Sequence, residues 1–435
     1  MMSFEGCEPT GALVADLEQL VRKAIFKPAS EIIGALLQQA ADRIDAEYRG
    51  KPGERRKGRA IIEVQGMFGT FSLTRDYYHH AGKKCGRCPA DDALGLEGSL
   101  TPALARIVCL EGADESSYQK AATHLQEVGG IPFDERTIPR VVARVGERAT
   151  LWQKKEEYTA QRCDARVLYI SADATGVPMR RELLQGRKGK APDGTAKTRM
   201  AMLGCVFTQH TEDEQGLPIR DHQSTTYLAT FESPGDFGIG LRREALRRGL
   251  ATADQSVLLI DGATGLEKLG RDYFPDATQI VDFYHAMELL HILIEALMGK
   301  ADIKRINRRR HHWGKILHAD GPERIIAQAR KEAAKNDTSQ EVESALGYFL
   351  RNLQRMRYGE FRSKGYFVGS GVVEAGCRSL IGQRCKQSGM FWTEQGATNV
   401  LALRCINASH HLDVFWQEHL HFKANLNTQP LKSAA

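Results

Sequence analysis

Three apolar runs of this chain end on aspartate, and that pattern constrains its fold more than any other feature. Val167–Ile170 leads into Ser171-Ala172-Asp173, Val257–Ile260 into Asp261-Gly262, and Gln279–Val281 into Asp282. Short aliphatic and β-branched runs bounded by turn residues are buried strands. Met200–Phe207 and Thr225–Phe231 have the same character, and a helix with Leu241, Ala245 and Leu246 follows them. Strands interleaved with helices in this way give an α/β fold with a mixed sheet. A carboxylate at the C-terminal end of such a strand lies where α/β proteins build their sites. A single strand-end aspartate is better explained as a turn former. Two of them on neighbouring strands would stand about one strand spacing apart, close enough to hold a common cation.

The rest of the chain is mostly helical. Leu13, Leu17, Leu20 and Val21, then Ile33, Leu36 and Leu37, recur at helical spacing within residues 1–50. Lys51 to Arg59 has the Pro, Gly and charge of a linker. Ile62 and Val64, a turn at Gly66–Gly69, then Phe71 and Leu73 predict a hairpin, followed by a loop to about residue 98. Tyr118 to Gln126 predicts a short helix, broken by Gly129, Gly130 and Pro132. Ile138, Val141, Val142 and Val145 form the stripe of a second, which must begin near Thr137 for Pro139 to fall in its first turn. Arg136, Arg140 and Arg144 line its polar side, so the pair resembles a helix-turn-helix about as well as a plain helical hairpin. Residues 285–365 are helical and basic, and another helix starts after Gly369-Ser370-Gly371 with Glu374 in its first turn.

The chain has 435 residues, enough for about three domains. With 42% hydrophobic and 26% charged residues it is globular, not disordered. It has no apolar stretch near the ~18 residues of a membrane span. Its first residues, MMSFEGCEPTG, predict no secretory signal. Nine scattered cysteines, an odd number, fit a reducing cytoplasm better than a disulfide framework. The formal charge of +6 is uneven. Lys300–Lys364 holds sixteen bases against eight acids, and Arg180–Arg199 holds seven against two, so the remainder is net acidic. Two such basic stretches flanking candidate carboxylates predict a polyanionic partner.

Glu374 taken singly is ordinary complementarity to a helix dipole. With Asp173 and Asp261 it completes a set of hard oxygen donors suited to Mg²⁺ or Mn²⁺. Two such ions can activate a water or 3′-hydroxyl and stabilise the leaving oxygen of a phosphodiester.

On these residues the sequence resembles the DDE transposases of bacterial insertion sequences, in the ISKra family, relatives of the Mutator-like enzymes. The resemblance runs from about residue 55 to 420. It rests on SADATGVPM (171–179), GRKGKAPDGTAKTRMAMLGCVFTQ (186–209), TTYLATFES (225–233), IDGATGLEKL (260–269), FPDATQIVDFYHAMELLH (274–291) and the long stretch from Met356 to Cys405. It implies an α/β, RNase H-like mixed-sheet core with an α-helical insertion, preceded by a mainly helical N-terminal DNA-binding region. Asp173, Asp261 and Glu374 match the family's three acids, as catalytic residues and ligands of two Mg²⁺ or Mn²⁺ ions. Asp282 and His285 match its acidic-x-x-His signature, in a supporting role. Relatives often carry two CxxC pairs where this chain has only Cys85 and Cys88, late and after His79-His80. Half a ribbon gives no expectation of structural zinc.

The expected organisation is 1–58, helical region and basic linker; 59–98, a β-hairpin or degenerate zinc ribbon; and 99–160, a helical DNA-binding region. The core follows in two parts, 161–284 and 366–422, around the basic insertion 285–365, with a tail at 423–435. Expected DNA contacts are Arg136, Arg140, Arg144, Lys188, Lys190, Arg199, Arg308, Arg309, Arg310, Arg378, Arg384 and Lys386, with Trp313 as a base-stacking candidate whose simpler role is packing. The cysteines within apolar runs read as core residues, and His410, His411, His419 and His421 as the polar face of a terminal helix. The expected partners are terminal inverted repeats and target double-stranded DNA, with a homodimer or higher synaptic oligomer, no membrane, and a cytoplasmic, nucleoid-associated location. The competing expectations are a decayed copy acting as a repressor and a nuclease of the same fold.

Overall fold

The computed structural model describes residues 10–80, 86–155, 161–180, 182, 198–299, 302–334 and 340–427. In chain order its elements are α1 (Gly11–Glu47), β1 (Glu54–Gly66), β2 (Gly69–His80), α2 (Pro89–Ala93), α3 (Pro102–Asp114), α4 (Tyr118–Glu127) and α5 (Ile138–Gln153). Next come β3 (Val167–Pro178), β4 (Thr198–Gln209), β5 (Thr211–Glu212), β6 (Pro218–Ile219), β7 (Thr226–Thr230), α6 (Pro234–Arg247), β8 (Ser256–Ile260), α7 (Thr264–Tyr273) and β9 (Thr278–Val281). The remainder is helical: α8 (Phe283–Met298), α9 (Ile303–Asp320), α10 (Glu323–Ala333), α11 (Gln340–Arg351), α12 (Tyr358–Ser363) and α13 (Gly371–Gly376). A π-helical turn (Cys377–Gly382), α14 (Gln383–Cys385), α15 (Glu394–Ala408) and α16 (Leu412–Asn425) complete it. No helix among the described residues is long and apolar enough to cross a membrane.

The chain forms two compact units. One comprises Met1–Arg148 with Leu412–Ala435, the other Ala149–His411. In the first, β1 and β2 make an antiparallel hairpin that packs Val64 and Leu73 against Ala41 of α1. β1 begins at Glu54, so most of the Lys51–Arg59 segment is strand and not linker; every residue from Glu54 to Arg59 except Lys57 has a partner across the hairpin. The connection between α4 and α5 runs from 128 to 137, longer than the ~3–4 residues of a helix-turn-helix.

The second unit is built on a five-stranded sheet in the order β7-β4-β3-β8-β9. β3 pairs antiparallel with β4, and β4 with β7; β8 lies parallel to β3, and β9 parallel to β8. This mixed α/β arrangement is compatible with an RNase H-like core. The strands form because their residues are apolar on both faces, as sheets covered on two sides require. Alternation assigns the faces. Leu168, Ile170 and Ala172 of β3 and Leu258 and Ile260 of β8 bury themselves with Phe237, Leu241 and Ala245 of α6 and Leu269 of α7. Asp173 and Asp261, one residue further along each strand, have the opposite parity.

β3 does not stop where the apolar run suggested. It continues through Asp173 to Pro178, held by β4 along its whole length and by Trp392, which exchanges main-chain hydrogen bonds with Pro178 and Arg180. The residues after β9 form the helices α8–α12, whose positive charge is concentrated in α9. Lys188, Lys190 and Cys85 lie outside the described residues.

Candidate active site

The parallel register places the two aspartates. Ala172 is paired with Ile260, so Asp173 and Asp261 are the next residues on adjacent strands, at equivalent height and on one face. Their main chains are thus about 5 Å apart. α13 lies over that face. A Cβ on Gly376 would meet Leu203, the β4 partner of Asp173, at 2.8 Å and Tyr227 at 3.0 Å, so the helix packs closely on this face. Cys377, first residue of the π-helical turn, is buried within hydrogen-bonding reach of Asp173; burial first, and then the aspartate's charge, push its thiol well above the usual range. π-helical turns of this kind recur at functional sites. Asp173 also accepts the Ala174 main-chain N–H at 2.6 Å, and Asp261 that of Ala263 at 2.8 Å.

Glu374, exposed in the first turn of α13, accepts the Ser370 hydroxyl on Oε1 at 2.6 Å. The Ser370 main-chain N–H in turn donates to Asp282 Oδ2 at 2.6 Å. Asp282, only 2% exposed, caps α8 by accepting the His285 N–H at 2.6 Å, and its own N–H donates to Ile260 O at 2.9 Å. His285 itself is half-buried, 3.6 Å from Glu288. From the insertion, α11 directs the Tyr348 hydroxyl at the glycine after Asp261: a Cβ on Gly262 would lie 2.2 Å from it. Burial, then the Asp261 charge, raise the Tyr348 phenol well above its ordinary value.

The three carboxylates are hard oxygen donors, the chemistry Mg²⁺ and Mn²⁺ prefer. Their oxygens are not all within 4.8 Å of one another. Among the described residues the one group that is so close is Glu111, Glu115 and His124, of α3, its C-cap and α4, where the Glu111–His124 hydrogen bond (2.6 Å) accounts for the approach.

The expected DNA contacts divide by burial. Arg136, Arg140, Arg308, Arg310, Arg378 and Lys386 are exposed. Lys386 donates to Thr175, on the same face of β3 as Asp173. Arg144 is tied to Glu97, Arg309 to Glu332 (2.6 Å), and Arg199 to Glu394 and the Phe231 carbonyl. Three expectations are corrected. Arg384 is fully buried, stacked 4.8 Å from the Trp392 ring and 3.3 Å from the Met390 sulfur, so it faces core rather than phosphate. Trp313 is 2% exposed on the inner side of α9 and presents no ring to a base. His419 likewise lies inside its helix packing, 2.9 Å from the buried Glu97, and not on a polar face. The described cysteines are all free and buried, as core residues should be.

Sequence reasoning missed Ser370, Cys377 and Tyr348. The local signal for Ser370 was its position four residues before Glu374, one helical turn away; Tyr348 carried none.

A mixed-sheet α/β protein with one carboxylate within a central strand, another just past the end of its parallel neighbour, and a helical insertion is the class these features define. The chain belongs to UPF0236, an uncharacterised protein family whose model matches residues 9–418. No curated protein matches it. Among solved structures, it is similar to the Drosophila P element transposase strand transfer complex at 12% identity and a TM-score of 0.24, over 72% of this chain and 80% of that one. A likeness at that score places no residue here.

Proposed function

We propose that this protein is an insertion-sequence transposase that cleaves DNA at element ends and joins the freed 3′ ends to a target, using Asp173, Asp261 and Glu374. The observation that carries the reading is the parallel register of Asp173 and Asp261 on one sheet face, with the helix of Glu374 laid over it. The ordered sequence resemblance from residue 55 to 420 supports the same reading.

Mg²⁺ or Mn²⁺ on these carboxylates would supply the positive charge that activates the attacking oxygen and stabilises the leaving one. The chain's own part is positioning. Strand pairing sets Asp173 and the residue before Asp261, and main-chain N–H groups orient the oxygens of both aspartates. Arg378 and Lys386, exposed just beyond Glu374, are suited to phosphate oxygens. The exposed Arg308 and Arg310 of α9 would hold the DNA backbone, a salt-dependent contact.

The test uses duplex DNA carrying the inverted repeats that flank the gene, with Mg²⁺. Wild type should nick at the repeat boundary. Asp261→Ala should lose about 10³-fold or more in cleavage, the effect of several kcal/mol of lost charge stabilisation, and still shift the DNA in a gel. Binding without nicking by wild type would overturn the reading in favour of a repressor.

A further inference from the structure

We propose that Ser370 is a positioning residue for Glu374, locked in place by Asp282, and that this relay ties the helix of the third acid to the strand end of the second. The inference rests on the reading of Glu374 as a cation ligand. Four hydrogen bonds carry the relay's geometry. Asp282 N–H donates to Ile260 O (2.9 Å), fixing Asp282 to the residue before Asp261. Asp282 then accepts the N–H of His285 (2.6 Å) on one oxygen and of Ser370 (2.6 Å) on the other. The Ser370 hydroxyl finally donates to Glu374 Oε1 (2.6 Å). A parallel main-chain bond, Phe283 N–H to Val368 O (2.9 Å), holds the two segments side by side.

Ser370 stands at the N-cap of α13, where a serine oxygen ordinarily accepts an N–H two or three residues on. Here it makes no such bond. The Ser370 carbonyl instead takes the Val373 and Glu374 N–H groups at 3.0 and 3.1 Å. The hydroxyl is therefore committed to Glu374 and not to the helix. Glu374 is exposed, and an exposed glutamate has rotamer freedom that must be lost to hold a cation. A buried hydroxyl, itself fixed by a buried carboxylate, removes part of that freedom beforehand. Partners of this kind, which orient a ligand without touching the ion, typically contribute 10–100-fold to metal affinity.

The experiment compares wild type, Ser370→Ala, Ser370→Thr and Glu374→Gln by calorimetric titration with Mn²⁺, and by cleavage against Mg²⁺ concentration. Thermal midpoints serve as the check on folding. Ser370→Ala should weaken Mn²⁺ binding by about tenfold or more and raise the half-saturating Mg²⁺ similarly, with most of the maximal rate regained at high Mg²⁺. Ser370→Thr, which keeps the hydroxyl, should restore the affinity. If Glu374→Gln loses the cation while Ser370→Ala binds it like wild type, the inference is overturned and the catalytic reading survives. If wild type shows no Glu374-dependent Mn²⁺ binding at all, the catalytic reading falls and takes this inference with it.

Discussion

Each unit of the molecule buries a carboxylate, and the two solve the same electrostatic problem differently. Glu97, in the first unit, is surrounded by side-chain nitrogens: His419 Nε2 at 2.9 Å and the cationic Lys423 Nζ at 2.8 Å and Arg144 Nε at 3.3 Å. Asp282, in the second, has its oxygens occupied by main-chain N–H groups, those of His285 and Ser370. A side-chain ion cluster fastens segments that are far apart in sequence and responds to pH. A main-chain-held carboxylate fixes backbone directions, because each bond specifies where a peptide unit points. The first arrangement suits a scaffold. The second suits a site, where the residues on either side of the aspartate must stay in register with Asp261 and Glu374.

The comparison breaks most sharply at Asp282. Asp282→Ala would leave the His285 and Ser370 N–H groups without an acceptor and remove the α8 cap. The His285 bond is itself that cap, so at ~1–3 kcal/mol for each of the two donors the loss should be about 4 kcal/mol. Calorimetry should show the melting midpoint of the second unit falling by roughly 10 °C. A midpoint within a degree or two of wild type would mean that the aspartate is not what holds these segments.

Glu97 should show itself through acid. Burial by itself raises its pKa, but the His419 hydrogen bond and Lys423 outweigh that and bring it to about 2, from 4.5 for a free glutamate. The folded value is below the unfolded one, so the stabilisation is complete above about pH 4.5 and disappears as pH falls towards 2. Its size is about 3 kcal/mol. Urea midpoints measured across that window should fall steeply for wild type and less steeply for Glu97→Gln, which has no charge to titrate. Equal slopes would count against the ion cluster.

What the sequence disclosed, and what it hid, follows the same division between local and non-local causes. The strands were legible because burial on both faces demands unbroken apolar runs. Asp173 and Asp261 were legible as their endpoints. The continuation of β3 to Pro178 was not, because Ala174–Pro178 has no strand character of its own and is extended only by β4 and Trp392. Arg384 looked like a surface cation in a basic context, and only Trp392 and Met390, brought in by the chain's return, make its site a core. The Ser370 relay depends on a residue 88 positions away, which no local pattern records.

A smaller effect probes how tightly the insertion is fitted to the strand end. Gly262 has no room for a methyl group because the Tyr348 hydroxyl occupies that space, at 2.2 Å from the Cβ position. Gly262→Ala should destabilise by about 2 kcal/mol through overpacking. In a Tyr348→Ala background, which removes the hydroxyl and the ring carbons at 2.4 and 2.5 Å alike, Gly262→Ala should cost less than it does in wild type. Failure of the second change to relieve the first, measured by urea unfolding, would show that the contact is not what excludes a side chain at 262.

The smallest expected effect separates surface cations from buried ones. Arg310 and Arg384 are both arginines of the expected DNA-binding set, but one is exposed on α9 and the other is fully buried. Arg310→Ala should leave stability within ~0.5 kcal/mol of wild type. It should weaken DNA binding evenly across sequences, and lower the slope of log affinity against log salt by about one unit, the signature of one lost phosphate contact. Arg384→Ala should do the reverse, lowering the melting midpoint while leaving the salt slope of the surviving folded protein unchanged. An unchanged slope for Arg310→Ala would take α9 out of the DNA-binding surface; a lowered slope for Arg384→Ala would mean that its guanidinium reaches phosphate after all.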